Sequence, residues 1–302
     1  MTEIEIYGTG RKGLIPSSWD EMSAEQIQGV FRIYDECTRQ GLSTLDFSVR
    51  VLYFFLGIRP SGRAFRRRMR YPARRARHAE NVYRLCDSCL GYLFTEDEDT
   101  GDGAKLAYAS VVNSLPEIRG VFGRPLIGPA DLLQDLSFGE FRHAATALNA
   151  FFQSHDVQDL DECIAHLYRR RSNKANRCGR FVSDVDNATF HKDVKRVSRL
   201  LSWQKNLIMM WFAACLKYLQ TDTVIIDGEA VNMSLLFASE EAGHSDVSFS
   251  WNDLLVQIAR DQTIGTIDRV DQEPLFSIFS LMWTNYKENQ RYERNKKTDQ
   301  GK

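Results

Sequence analysis

The chain has 302 residues, of which 43% are hydrophobic, 11% aromatic and 26% charged, enough apolar material for one or two packed cores and too much for wholesale disorder. Lys plus Arg number 39 and Asp plus Glu 40, a net charge of -1, so the average field gives no reason to expect nucleic acid, membrane or a polyanionic substrate, and any such role must be local. Six scattered cysteines exclude a disulfide-stapled module and fit a reducing compartment, and the longest apolar run, broken by Lys217, falls short of the roughly 20 residues that cross a bilayer.

The opening MTEIEIYGTGRKGL alternates acidic with apolar residues and predicts a short strand or hairpin rather than a signal peptide, with Gly8, Gly10 and Gly13 serving its turn. In PSSWDEMSAEQ, Ser18 with Glu21 and Ser23 with Gln26 have capping-box spacing, so a helix should follow Ser23. Ile27, Val30, Phe31 and Tyr34 give it one apolar face, and Gly41 ends it. A second apolar helix is expected from about Thr44 to Leu56. Arg59, Arg63, Arg66, Arg67, Arg68, Arg70, Arg74, Arg75 and Arg77 then follow with no acidic residue among them, and Pro72 breaks any single helix through them. A third helix is expected from His78 to Tyr92. The acidic stretch Glu96, Asp97, Glu98, Asp99 and Asp102 and the Pro- and Gly-bearing segment after it divide the chain.

The second half opens with GPADLLQDLSFGEFRHAATALNAFF, in which Ser137 and Glu140 form a capping box and Phe138, Phe141, Ala145, Leu148 and Phe152 trace a helical stripe. Asp156 can cap a helix that buries Leu160, Cys163, Ile164 and Leu167, after which LYRRRSNKANRCGR reads as a basic loop. Ser202 starts a helix with Trp203, Leu207, Met210, Trp211, Ala214, Cys215 and Tyr218 at helical spacing, a central core element. Ser250 caps another with Trp251, Leu254, Leu255 and Ile258 inward and Gly265 at its end. A last helix runs from Glu273 to Tyr292, and the polar tail ERNKKTDQGK should fray.

Few motifs carry chemistry. Cys86 and Cys89 form a CxxC late in an apolar helix, where thiols are usually buried, and only Cys178 and His191 could complete a zinc set with them. Glu140 and His143 have the Glu-x-x-His step of di-iron carboxylate bundles, but the only counterpart, Glu162 and His166, is one residue too long, and Glu140 is engaged in the capping box. Phosphate-loop, nucleophile-elbow, zincin and EF-hand patterns are missing from the sequence, so no catalytic set and no metal or cofactor is assigned. The basic patch of Arg63, Arg66, Arg67, Arg68, Arg70, Arg74, Arg75 and Arg77 admits three readings: a solvated or internally paired surface, a protein-binding surface, or a nucleic-acid site with Phe65 and Tyr71 stacking on bases. The loop from Arg169 to Arg180 admits the same three.

Three segments taken together, LIPSSWDEMSAEQ, GPADLLQDLSFGEFRHAATALNAFF with ECIAHLYRR, and LSWQKNLIMMWFAACLKYL, resemble a family of helical proteins encoded by tailed bacteriophages and prophages of Bacteroidetes bacteria. The stretch FSWNDLLVQIARDQTIGTIDRVDQEPLFSIFSLMWTNYKEN is similar to the final helices of phage tail-assembly proteins, encoded beside the tape-measure protein. The resemblance implies an all-helical, non-enzymatic protein of the host bacterial cytoplasm, or of the virion, acting as a tail-assembly chaperone that shields the tape-measure chain. It carries over no catalytic residues. The arginine-rich segment and the acidic loop at 96–102 depart from the family pattern.

The expected fold is all-α, a multi-helix protein in two helical halves with a small N-terminal β-hairpin. Residues 1–95 form a hairpin and helical region with the arginines, 96–130 an acidic, Gly- and Pro-bearing connector, and 131–302 a C-terminal helical domain. Expected partner-binding anchors are Trp251, Leu255, Phe276, Phe279, Met282, Trp283 and Tyr286, which could dock a helical client or another copy of the chain; the alternative for all seven is ordinary core. Besides the chaperone, a virion component of tail or neck and a nucleic-acid-binding protein remain open.

Overall fold

The computed structural model describes residues 1–6, 11–95, 105–119, 125–183, 190–237, 251–260 and 266–300. It is mostly helical, with three small antiparallel sheets, so the expected hairpin is not the only β-structure. The packing of the chain divides it into two compact units, 1–110 with 201–211, and 111–200 with 212–302. The acidic stretch at 96–102, Gly8, Gly10, Ser250 and Gly265 lie outside the described residues.

Unit 1 begins with the strands β1 (Thr2–Ile6) and β2 (Arg11–Ile15), paired antiparallel with Glu3 opposite Leu14. Gly13 is not a turn residue: it lies within β2, where a Cβ would stand 2.4 Å from Leu56 Cδ2, so its missing side chain admits Leu56. Ser18 precedes only a 3₁₀ turn, Trp19–Glu21, and its side chain makes no cap; Glu21 instead accepts from the Ser17 amide at 2.7 Å.

Helices α1 (Ala24–Gln40) and α2 (Thr44–Phe55) begin at full capping boxes, Ser23 with Gln26 and Ser43 with Asp46, each satisfying donors that a helix start leaves open. Gly41, at φ 64°, closes α1 in the left-handed conformation that glycine adopts without penalty. The arginine segment forms the short α3 (Arg63–Arg68) and the first turns of α4 (Pro72–Cys89). The third helix therefore starts six residues before the expected His78, because Pro72 opens it at the position where a missing N–H costs nothing. Trp19, Phe31 and Tyr108 pack edge to face or tilted at 4.8–6.1 Å between ring centres, and the Trp19 indole donates to the Ala107 carbonyl.

Unit 2 contains β3 (Glu117–Ile118) and β4 (Leu126–Ile127), then α5 (Phe138–Ser154) and α6 (Val157–Leu167), a tightly packed helical pair. Ser137 and Glu140 make the expected capping box and Asp156 accepts from the Gln158 amide. Of the expected stripe, Phe138, Phe141, Ala145 and Leu148 are buried, whereas Phe152 at the end of the helix is half exposed. Next come β5 (Arg169–Arg170), which joins β4 to complete a three-stranded sheet, and α7 (Phe190–Val197).

Helix α8 (Ser202–Thr221) buries Trp203, Leu207, Ile208, Trp211, Phe212, Cys215 and Leu219, as a central element should. Its first half, to Trp211, belongs to unit 1 and the remainder to unit 2. In unit 1 the Arg32 guanidinium lies 4.6 Å over the Trp203 ring.

An unexpected hairpin follows, β6 (Thr223–Ile226) and β7 (Glu229–Asn232), turned by Asp227 and Gly228 at φ 51° and 81°. Positive φ at both central residues is the two-residue turn that Asp-Gly favours. The chain continues through α9 (Ser234–Phe237), α10 (Trp251–Arg260), α11 (Ile267–Gln272) and α12 (Leu275–Gln300). The expected last helix, Glu273 to Tyr292, is α12, which starts at Leu275 just after Pro274; the short α11 before it was not expected, and the polar tail expected to fray is helical through Gln300. Among the described residues no helix is long and apolar enough to cross a membrane.

Candidate functional site

Two concave features stand out, one in each unit. In unit 1 an open groove of about 420 Å³ runs between α2, α3 and α4. Its walls are Leu45, Val49 and Tyr53 from α2, Phe65 and Met69 from α3 and the residue after it, and Arg75, His78, Ala79, Val82 and Tyr83 from α4. These three helices suit a trough because α2 carries apolar residues on two faces. Phe47, Val51 and Leu52 go to the core, and Leu45, Val49 and Tyr53, spaced by four, form a second row left over for the groove.

The groove floor is an aromatic cluster. Tyr53 Oη lies 2.9 Å from His78 Nε2, their rings are stacked at 6.0 Å, and Phe65 meets both rings near edge-on at 6.1 and 5.4 Å. Burial, with help from the nearby Arg68 charge, lowers the His78 pKa, so the imidazole is neutral at pH 7. Burial likewise raises the Tyr53 phenol, which keeps its proton.

Arg75 lines the groove, and the other arginines from Arg63 to Arg77 lie on or between the helices α3 and α4 that wall it. All eight residues of the expected basic patch are exposed. Arg59, Arg63, Arg66, Arg67, Arg70, Arg74, Arg75 and Arg77 make no ion pair among the described residues, and Arg74 lies 5.1 Å over the Tyr71 ring. Among the described residues, internal pairing does not account for these eight; the acidic stretch at 96–102 lies outside those residues. The sequence pointed to the arginines but not to the apolar trough they border; its signal was the surplus apolar row on α2.

The loop from Arg169 to Arg180 behaves in the opposite way. Arg169 and Arg180 have side chains 1% exposed. Arg180 Nη2 donates to the carbonyls of Ile127 and Leu167 at 3.0 and 2.8 Å, and its other nitrogens lie 3.5 and 3.8 Å from Glu140 and Asp135. Buried Asp193 gathers Arg170 at 3.1 Å and Arg196 at 2.6 Å. These charges tie α5, α6, α7 and the small sheet together.

Beside that network, unit 2 has a polar cleft of about 670 Å³ lined by residues that include Glu140, His143, His166, Cys178, Asp268 and Asp271. Here the two His-bearing steps that the sequence set apart meet: His143 and His166 stack at 5.1 Å, and Phe190 covers the other face of His166 at 4.3 Å. Burial, followed by the charges of its neighbours, pushes His166 down to about 3, and burial lowers His143 as well, so both rings are neutral at pH 7. Burial and then Glu140 push the Cys178 thiol up to about 11. Glu140 remains committed to Ser137 and Arg180.

Among the described residues no three His, Cys, Asp or Glu side chains are arranged to hold a metal. Cys86 is buried in α4 with its thiol pushed up to about 11, and Cys86 and Cys89 belong to unit 1 whereas Cys178 and His191 belong to unit 2.

Of the expected partner anchors, Trp251, Leu255 and Phe279 lie in the core of unit 2, where Trp251 meets Phe141 edge-on at 4.6 Å. They serve as the ordinary core that the sequence left as the alternative. Phe276, Met282, Trp283 and Tyr286 are half-buried on α12. Trp283 stacks on Tyr286 at 5.5 Å, and Glu229 of the β6–β7 hairpin accepts from Trp283 Nε1 at 2.6 Å and from Lys287 at 2.9 Å.

Comparison with family models, with curated proteins and with solved structures finds no match to this chain.

Proposed function

We propose that the chain is a non-enzymatic binding protein that receives a helix of a client protein in the unit 1 groove. Following the family its motifs resemble, it acts as a tail-assembly chaperone of a tailed phage, with the tape-measure protein as client, in the host bacterial cytoplasm. The observation that carries helix binding is the groove itself, an open trough with apolar walls from three helices. An amphipathic helix is the protein element that lays a row of side chains at i, i+3, i+4 and i+7 into such a trough. The non-enzymatic role follows the family resemblance. The phage setting rests on the resemblance alone.

The test is quantitative mass spectrometry of purified particles beside an affinity pull-down from infected cells. A chaperone co-purifies with the tape-measure protein from cells and is missing from particles. Stoichiometric presence in particles replaces the chaperone with a virion component of tail or neck, and recovery with neither removes the tail-assembly reading.

A further inference from the structure

We infer that the helix received by the unit 1 groove is acidic, with its apolar face on the groove floor and carboxylates along the flank that meets the arginines. This rests on the helix-binding reading of the groove and adds the chemistry of the partner.

Charge complementarity is the first ground. Arg66, Arg67, Arg70, Arg74 and Arg77 are exposed and form no ion pair among the described residues. With Arg75, which lines the trough, these guanidiniums on and between its wall helices repel a basic surface and favour a row of carboxylates, which accept their forked N–H donors two at a time. The acidic residue nearest in sequence, Glu80, is already held by Arg84 at 3.0 Å. The chain as a whole is close to neutral, so this concentration of positive charge acts locally.

The second ground is the floor. Leu45, Val49, Met69 and Val82 offer apolar surface that a phosphodiester backbone has nothing to cover with. Base stacking needs free ring faces, and Tyr53 already shares its face with His78 while Phe65 packs against both. An amphipathic helix uses both features at once: three or four apolar side chains enter the groove, and Glu or Asp one position aside on the helical wheel reach the arginines. Nucleic acid could engage the arginines and the exposed rings of Tyr71 and Tyr83 but would leave the aliphatic lining uncovered.

The experiment uses the full chain, immobilised, against a displayed library of amphipathic helical peptides. Apolar positions vary among Leu, Ile, Phe and Met, and flanking positions among Glu, Gln and Lys. Leu45 is 48% exposed, so Leu45→Lys blocks the floor without touching the core, and a circular-dichroism melt confirms that it folds. The expected result is enrichment of Glu over Gln and Lys by tenfold or more on one flank, lost with Leu45→Lys. With R66Q, R67Q and R70Q combined, the charge preference should vanish while apolar selection persists. Selected peptides should also weaken as salt rises, since surface charge pairing is screened.

Enrichment of apolar faces with no preference among Glu, Gln and Lys overturns the acidic partner and leaves helix binding standing. No enrichment above Leu45→Lys overturns both. Tighter binding of a single-stranded oligonucleotide than of any peptide, insensitive to Leu45→Lys and lost in the arginine variant, replaces the acidic helix with nucleic acid.

Discussion

Tyr53 and His78, 25 residues apart on α2 and α4, are joined at the floor of the unit 1 groove by a 2.9 Å hydrogen bond between Oη and Nε2. Because burial keeps both groups uncharged, the bond links two neutral partners and fixes the spacing of the helices that wall the groove. Tyr53→Phe keeps the ring and removes the link. We expect a loss of about 1 kcal/mol in urea denaturation, the usual net value of such a bond. A change below about 0.3 kcal/mol would mean that water replaces the phenol without cost.

His166 sets an acid limit on unit 2. Its folded pKa of about 3 lies below the ordinary value of 6.5, so between these two values the unfolded chain binds more protons than the native one. Stability should fall as pH drops through that window, by up to about 1.4 kcal/mol per pH unit, and the His166 contribution to the slope should fade within about one pH unit above 6.5. Denaturation midpoints at pH 7, 6, 5 and 4 for the wild type and His166→Phe test this. Parallel curves for the two proteins would assign the acid sensitivity to other groups.

Arg142 on α5 reaches Asp271 on α11 across 129 residues of chain, with Nε at 3.2 Å and Nη2 at 2.7 Å from the two carboxylate oxygens. The side chains are only 11% and 22% exposed, so this forked pair is better shielded than a surface bridge. Asp271→Asn should cost about 1.5–3 kcal/mol. A double-mutant cycle with Arg142→Gln should return a coupling of at least about 0.5 kcal/mol; additivity would show that the pair acts independently.

The Asp227-Gly228 turn needs positive φ at both positions, and Gly228 meets that demand without strain. Gly228→Val places a β-branched residue there and should cost about 1–2 kcal/mol. The damage should be local: amide exchange should quicken in β6 and β7, and the Trp283 emission should shift as the Glu229 acceptor moves away. Unchanged exchange in the hairpin would show that the turn tolerates a side chain.

Helices with start and stop signals close to their own backbone were legible from sequence. The boxes at Ser23 and Ser137, the Asp156 cap and the Gly41 stop all stand, because each depends on residues within one turn of one another. Ser18 failed because the same spacing precedes only a 3₁₀ turn, with Glu21 drawn to the Ser17 amide. The β6–β7 hairpin was written as TVII-DG-EAVN, an Asp-Gly turn between short alternating runs, and went unread beside the stronger helical signal before it.

Tertiary neighbours were not legible. Nothing local says that Arg180 enters the core to meet the carbonyls of Ile127 and Leu167 while Arg66 and Arg67 stay in water. Nor does spacing along the chain show that His143 and His166 stack, since α5 and α6 must first fold back on each other. The groove was half legible, its arginines visible as a run and its apolar floor hidden in three separate helices.

The division of α8 between the two units has a consequence in time. Unit 1 is completed by residues 201–211, including the Trp203 ring on which Arg32 rests, yet the rest of the unit ends at Ser110. During synthesis the first 110 residues must wait for roughly 100 more before their last partner emerges, an interval of about 5–20 s at ordinary elongation rates. Unit 1 is thus begun first but stays incomplete until residue 211 has been made, by which time the first 90 residues of unit 2 have already emerged.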